Sequence, residues 1–127
     1  MTGWLKKMLA SGKDSVPRLS PADARRMIDA GALLVDVREA RELQQSGKLK
    51  GARHVPGGMI AARADPASPD YDPAFVKTNP VLPYCASGIR SGAAAERLQE
   101  LGYEKVFNIG GLQELAAAGL PTDPPEG

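Results

Sequence analysis

The stretch from Val81 to Ser91, VLPYCASGIRS, restricts this chain more than any other: an apolar run ends in the only cysteine, and a helical pattern follows a few residues later. Strand, short loop and helix make a frame for an anion. The loop points successive backbone N–H groups inward, and the helix N-terminus adds partial positive charge. A cysteine at the start of such a loop is driven towards thiolate, the reactive species, because its reference pKa of about 8.5 falls beside a helix N-terminus and a cation. Arg90 supplies the cation. Ser87 and Ser91 offer hydroxyl donors or helix caps, and Gly88 gives the backbone freedom to curl round a small ligand. The helix is expected to begin at Ser91 or Gly92. The plainer alternative is a buried structural cysteine beside a solvated arginine. A Gly, an Arg and two Ser packed directly behind Cys85 favour the reactive thiol.

Upstream, Ser20-Pro21-Ala22-Asp23 gives a helix start, with a Ser N-cap, Pro at the first position and an acid in the first turn. Gly31 stops that helix. Val16 to Leu19 reads as a short edge strand that tolerates Pro17. Leu33 to Val37 is apolar but for Asp36, the character a parallel strand covered on both faces requires, and it ends in Asp36, Arg38 and Glu39. A helix from about Ala40 to Gln45 and a short strand from Arg53 to Val55 follow. Between Gly57 and Pro80 the prolines are closely spaced, and one short helix is expected, started by Asp72 and Pro73 and carrying Ala74, Phe75 and Val76. Pro83 cannot donate a ladder hydrogen bond, so a bulge or a missing bond is expected there. Ala94, Ala95, Leu98 and Leu101 mark the buried face of the helix after the loop. Val106 to Ile109 gives a last strand, and Leu112 to Ala118 a short helix closed by Gly119. The alternation implies a three-layer α/β domain, with a five-stranded parallel sheet and helices on both faces.

With 127 residues there is room for one domain. It is placed at residues 16–123, between an N-terminal extension over residues 1–15 and a tail over residues 124–127. Sixteen Lys and Arg against fifteen Asp and Glu leave a net charge of +1, which gives no electrostatic case for nucleic acid or an acidic membrane. One cysteine makes no internal disulfide and fits no cysteine-based metal site. In the extension, Lys6 and Lys7 interrupt Trp4, Leu5, Met8 and Leu9, so no signal-type apolar core forms. No integral membrane segment is expected, and the cytoplasm is the expected compartment. Those four apolar residues share one helical face, read as a packed or frayed extension.

Four segments taken in order resemble the single-domain rhodaneses, or thiosulfate sulfurtransferases: LLVDVREAREL from Leu33, GARHVP from Gly51, CASGIRS from Cys85 and LGYEKVFNIGGLQELAAAGLP from Leu101. The resemblance covers roughly Val16 to Asp123. It implies a rhodanese-like fold and a two-step reaction. Cys85 takes the sulfane sulfur of thiosulfate or another donor as a persulfide, then yields it to cyanide, a small thiol or a protein thiol. The loop Ala86, Ser87, Gly88, Ile89, Arg90 and Ser91 would bind the substrate and stabilise the persulfide anion. Asp36 and Arg38 would support the site. No cofactor and no metal is implied. Two departures stand out: Lys48 occupies a place where many members have histidine, and Leu115 one where tryptophan is common. His54 is read as structural. Two rivals remain, a rhodanese-like sulfur-carrier or partner-binding module, and a cysteine phosphatase or arsenate reductase. The phosphatases related to this fold place five residues between cysteine and arginine; here there are four.

Overall fold

The computed structural model describes residues 16–125. The expected extension over residues 1–15, with its apolar face of Trp4, Leu5, Met8 and Leu9, lies outside the described residues. Helix α1 (Pro21–Asp29) starts as its sequence requires, with the Ser20 hydroxyl accepting the Asp23 N–H at 3.1 Å. Strand β1 (Leu33–Asp36) leads into α2 (Ala40–Ser46), β2 (Lys48–Leu49) and β3 (Arg53–His54). A 3-10 turn, Gly57–Met59, runs into α3 (Ile60–Ala64). Then come β4 (Val81–Tyr84), α4 (Ile89–Glu100), α5 (Leu112–Ala117) and β5 (Thr122–Asp123).

The main sheet is parallel with order β3-β1-β4, and β1 pairs with β4 over four residues from Leu33↔Val81 to Asp36↔Tyr84. Side chains alternate across it and define two cores. On one face Leu34, Leu82 and Tyr84 pack with Met27 of α1 and Leu115 of α5. On the other Val35, Val81 and Cys85 pack with Ile60 of α3 and with Ala94, Ala95 and Leu98 of α4. Helices therefore cover both faces, as three layers demand.

The sheet has three strands, not five. The segments expected as strands four and five join it only through isolated parallel bridges, Val81↔Val106, Cys85↔Gly111 and Arg18↔Asn108. Pro83 is the reason. Along the outer edge of β4, Val81 donates to the Lys105 carbonyl at 2.9 Å and accepts from Phe107 at 3.1 Å, and the Pro83 carbonyl accepts from Ile109 at 3.2 Å. Between those bonds Pro83 has no N–H to give, so the ladder lacks its middle rung, as the proline led one to expect.

Two further expectations change. The short helix of the Gly57–Pro80 connection is α3, in the alanine-rich IAARA segment, a good helix former. At Asp72 there is a single turn instead: the Asp72 side chain takes the Ala74 N–H and its carbonyl takes that of Phe75, while its carboxylate is committed to Arg53. A second sheet, β2 antiparallel to β5, clips the end of the described chain to the segment after α2.

Candidate active site

Cys85 follows β4 directly, at the carboxyl end of that strand, and is wholly buried. Helix α4 begins at Ile89 and not at Ser91 or Gly92, because Gly88 takes φ +99° as its N-cap and folds the loop back at once. Neither Ser87 nor Ser91 caps this helix. A sulfur stands in the capping place: the Gly88 N–H donates to Cys85 Sγ at 3.0 Å, and the Ser91 hydroxyl lies 3.4 Å from it. Burial pushes the thiol up. The Ser91 hydroxyl and the backbone N–H groups of Ser91, Gly88 and Ser87 outweigh that and hold it below its ordinary value. The loop's donors thus favour negative charge on the sulfur.

Arg90 is half exposed, and its guanidinium is gripped by Glu42 of α2, Nη1 to Oε1 at 2.6 Å and Nη2 to Oε2 at 2.9 Å. This bidentate pair, with smaller help from the Glu39 N–H, holds the Glu42 carboxyl down at about 2 and raises Arg90 further. Glu42 Oε1 also accepts the Glu39 N–H at 3.0 Å, so one carboxylate caps α2 and anchors the loop arginine. What lowers the Cys85 thiol first is a set of hydrogen-bond donors, not the Arg90 charge that the sequence put forward. Ala86, Ser87 and Ile89 form an exposed rim, with Ile89 at 80%. Next to Arg90 a groove of about 340 Å³ runs from Val37 and Gly57 to Arg97. A larger hollow of about 510 Å³, around Leu43, Lys48 and His54, lies elsewhere and is not lined by the loop.

Asp36 and Arg38 are both buried and joined by a forked pair, Nη2 to Oδ2 at 2.7 Å and Nε to Oδ1 at 3.1 Å. Arg38 also donates to Ser46 Oγ at 2.8 Å and to the Gly47 carbonyl at 2.6 Å, which ties the end of β1 to the end of α2. Asp36 shares the register of Tyr84 on the face away from the sulfur. The pair lies behind the site. His54 Nε2 meets the Arg38 carbonyl at 2.7 Å.

Three groups escaped sequence reasoning. Asn108 is buried and links the loop to the segment beyond β4. Gly111 sits against the loop so tightly that a Cβ there would lie 2.1 Å from the Ala86 carbonyl oxygen. The Arg18 guanidinium lies against Gly88 and Gly110 and reaches Glu114 at 3.7 Å. Only the GG pair hinted at close backbone approach. Among the described residues no group of three or more His, Cys, Asp or Glu side chains is arranged to hold a metal.

The family model described as rhodanese-like domain matches residues 20–118. The chain is similar to the thiosulfate sulfurtransferase PspE of Escherichia coli (strain K12), 38% identical over 82 residues, covering 65% of this chain and 72% of the relative. It is 34% identical over 110 residues to the thiosulfate sulfurtransferase GlpE of Haemophilus influenzae (strain PittEE), covering 86% and 96%. A solved structure from Rhodopseudomonas palustris superposes with a TM-score of 0.78 at 33% identity, covering 97% of this chain and 96% of that one. That protein is described as of unknown function and a possible tyrosine phosphatase.

Proposed function

The chain belongs to the rhodanese-like domain family, and from that membership we propose that it moves a sulfane sulfur through a persulfide on Cys85. Sulfurtransferase activity follows from the family and from relatives that are thiosulfate sulfurtransferases. The observation that carries the finer reading is a buried sulfur held below its ordinary pKa by the Gly88 N–H and the Ser91 hydroxyl at a strand-to-helix junction.

In the first step the Cys85 thiolate attacks the outer sulfur of thiosulfate. A new S–S bond forms, the old one breaks, and sulfite leaves with the electron pair. The terminal sulfur of the resulting persulfide carries one negative charge, which the N–H groups of the loop from Ala86 to Ser91 would stabilise. In the second step cyanide or a thiolate takes that sulfur, leaving as thiocyanate or a new persulfide and restoring the Cys85 thiolate. Arg90 draws in the anionic donor, and Asp36 with Arg38 holds the frame from behind. The groove beside Arg90 gives the second substrate room. Delivery to a protein thiol uses the same intermediate.

The phosphatase reading suggested for the Rhodopseudomonas relative ranks lower. Four residues separate Cys85 from Arg90, a narrower cradle than a phosphate needs. We propose the cytoplasm as its compartment. No helix among the described residues is long and apolar enough to cross a membrane.

Intact mass after incubation with thiosulfate, followed by a cyanide chase, tests the mechanism. One added sulfur on Cys85, discharged as thiocyanate and absent from a folded Cys85→Ser variant, is expected. No added sulfur on a reduced, alkylatable Cys85, or aryl-phosphate hydrolysis that depends on it, would overturn the assignment.

A further inference from the structure

We propose that Asn108 is a positioning residue for Cys85: its side-chain amide holds the Ser91 hydroxyl and the Gly88 peptide where both serve the sulfur, and so sets how readily that sulfur carries negative charge. The inference rests on Cys85 being the reactive group.

Asn108 comes from the segment beside β4, yet it reaches under the loop. Its Nδ2 donates to the Gly88 carbonyl at 2.8 Å. Its Oδ1 faces the Ser91 hydroxyl at 2.8 Å and accepts the Gly110 N–H at 3.1 Å. Those contacts fix which end is which. A flipped amide would set two donors together at Gly110 and two acceptors together at Gly88. In the orientation found, no buried side-chain nitrogen or oxygen among the described residues lacks a partner.

Gly88 and Ser91 are also the residues whose groups approach the sulfur, at 3.0 and 3.4 Å. One amide therefore governs two donors. Gly88 stays at φ +99° with its N–H on Sγ while its carbonyl is tied down by Asn108 and by the Gly92 N–H at 3.2 Å. The Ser91 hydroxyl has a single proton and two neighbours that accept it, Asn108 Oδ1 and Cys85 Sγ. With a neutral thiol the proton rests on the nearer Asn108 oxygen. When the sulfur becomes a thiolate the proton turns to it, and Gly110 alone is left on Oδ1. Ionisation at Cys85 is in this way communicated to Asn108 and Gly110.

Charged groups approach the loop from each side. Arg90, paired with Glu42, stands at the rim; Arg18 lies on Gly88 and Gly110; Glu114 of α5 lies over Gly110. The Asp36–Arg38 pair is on the other face. Asn108 carries no charge, so its replacement by alanine leaves this field in place and removes only its three hydrogen bonds, to Gly88, Ser91 and Gly110.

Two measurements test the proposal without reference to sulfur transfer. The first is the pH dependence of Cys85 alkylation by iodoacetamide. Burial alone pushes the thiol up, so Asn108→Ala, which loosens the Gly88 peptide and lets the Ser91 hydroxyl turn away from the sulfur, is expected to raise the alkylation midpoint by about one pH unit. Turnover with thiosulfate should fall at pH values below the shifted midpoint and approach wild type in alkaline buffer, which a general loss of stability would not produce. Ser91→Ala should give a smaller shift, and the double variant less than the sum of the two. The second needs no variant: the Gly110 N–H and Asn108 side-chain amide signals of the 15N-labelled protein should move with the Cys85 midpoint and stay still in Cys85→Ser. An unchanged midpoint in folded Asn108→Ala, additive shifts in the double variant, or wild-type signals indifferent to Cys85 would each overturn the role. Should Asn108→Ala not fold, the wild-type titration decides.

Discussion

Replacing Arg38 by methionine keeps most of the side-chain volume and removes every charged contact it makes. Arg38 is 2% exposed and Asp36 is fully buried, so the change strands a carboxylate where water does not reach it. Asp36 keeps the Arg38 backbone N–H at 2.9 Å but loses the fork at 2.7 and 3.1 Å. Ser46 Oγ and the Gly47 carbonyl lose a donor as well. Removing one partner of a buried pair costs about 3–5 kcal/mol, out of a total stability of about 5–15 kcal/mol. For a domain of this size that corresponds to a fall in Tm of about 10–20 °C. Urea unfolding at neutral pH, followed by circular dichroism, measures it. The double variant Asp36→Asn/Arg38→Met no longer buries an unpaired charge and should regain at least half of the loss. A cost below about 1 kcal/mol for the single variant, or a double variant no more stable than the single one, would show that the pair does not hold β1 to α2.

Two other predictions concern the loop. Gly111→Ala places a methyl 2.1 Å from the Ala86 carbonyl oxygen, so either the loop or the Gly111 backbone must shift; a stability loss of about 1–3 kcal/mol with a fall in thiosulfate turnover is expected from thermal melts and kinetics. Unaltered kinetics would mean that the loop yields without consequence. Arg90→Ala should raise KM for thiosulfate, and Glu42→Gln, which leaves the guanidinium without its counter-charge, should lower it; identical KM values would remove Arg90 from donor binding. The same pair makes a statement about acid. Because the folded Glu42 carboxyl sits at about 2, below its ordinary value, its contribution is present above about pH 4.5 and lost as pH falls through about 2. With Arg90 half exposed that contribution is at most about 1 kcal/mol, seen as a shallower acid limb in Glu42→Gln.

The parts of the fold written locally were legible. Ser20-Pro21 announced α1, the apolar run from Leu33 to Val35 announced β1, and the turn from Tyr84 through Cys85 announced a strand-to-helix junction. What depended on partners distant in sequence was not. Arg90 looked like the cation for the sulfur because nothing nearby revealed that Glu42, 48 residues earlier, would take it. Asn108 lay in a stretch that read as an ordinary strand, 17 residues from the serine it holds. The helix between Gly57 and Pro80 was misplaced because Asp72-Pro73 is a sound start signal, yet the Asp72 carboxylate is drawn to Arg53 and the chain makes one turn there. The five-strand count failed for a reason the sequence did contain: Pro83 was noticed, but its effect on the strand beyond it was not followed through.

That proline also bears on how the chain survives its own synthesis. β4 is made before residues 106–109, so its outer edge stays uncovered until they arrive. A bare strand edge is a template for another copy of the same strand. Val81 and Cys85 offer N–H groups on that edge, and Pro83 between them offers none. An incoming foreign strand finds a gap and a ring where its central bond should form. The native segment tolerates the gap because it is also held by Asn108 under the loop and by the approach of Gly111 to Ala86, contacts that a stranger cannot reproduce.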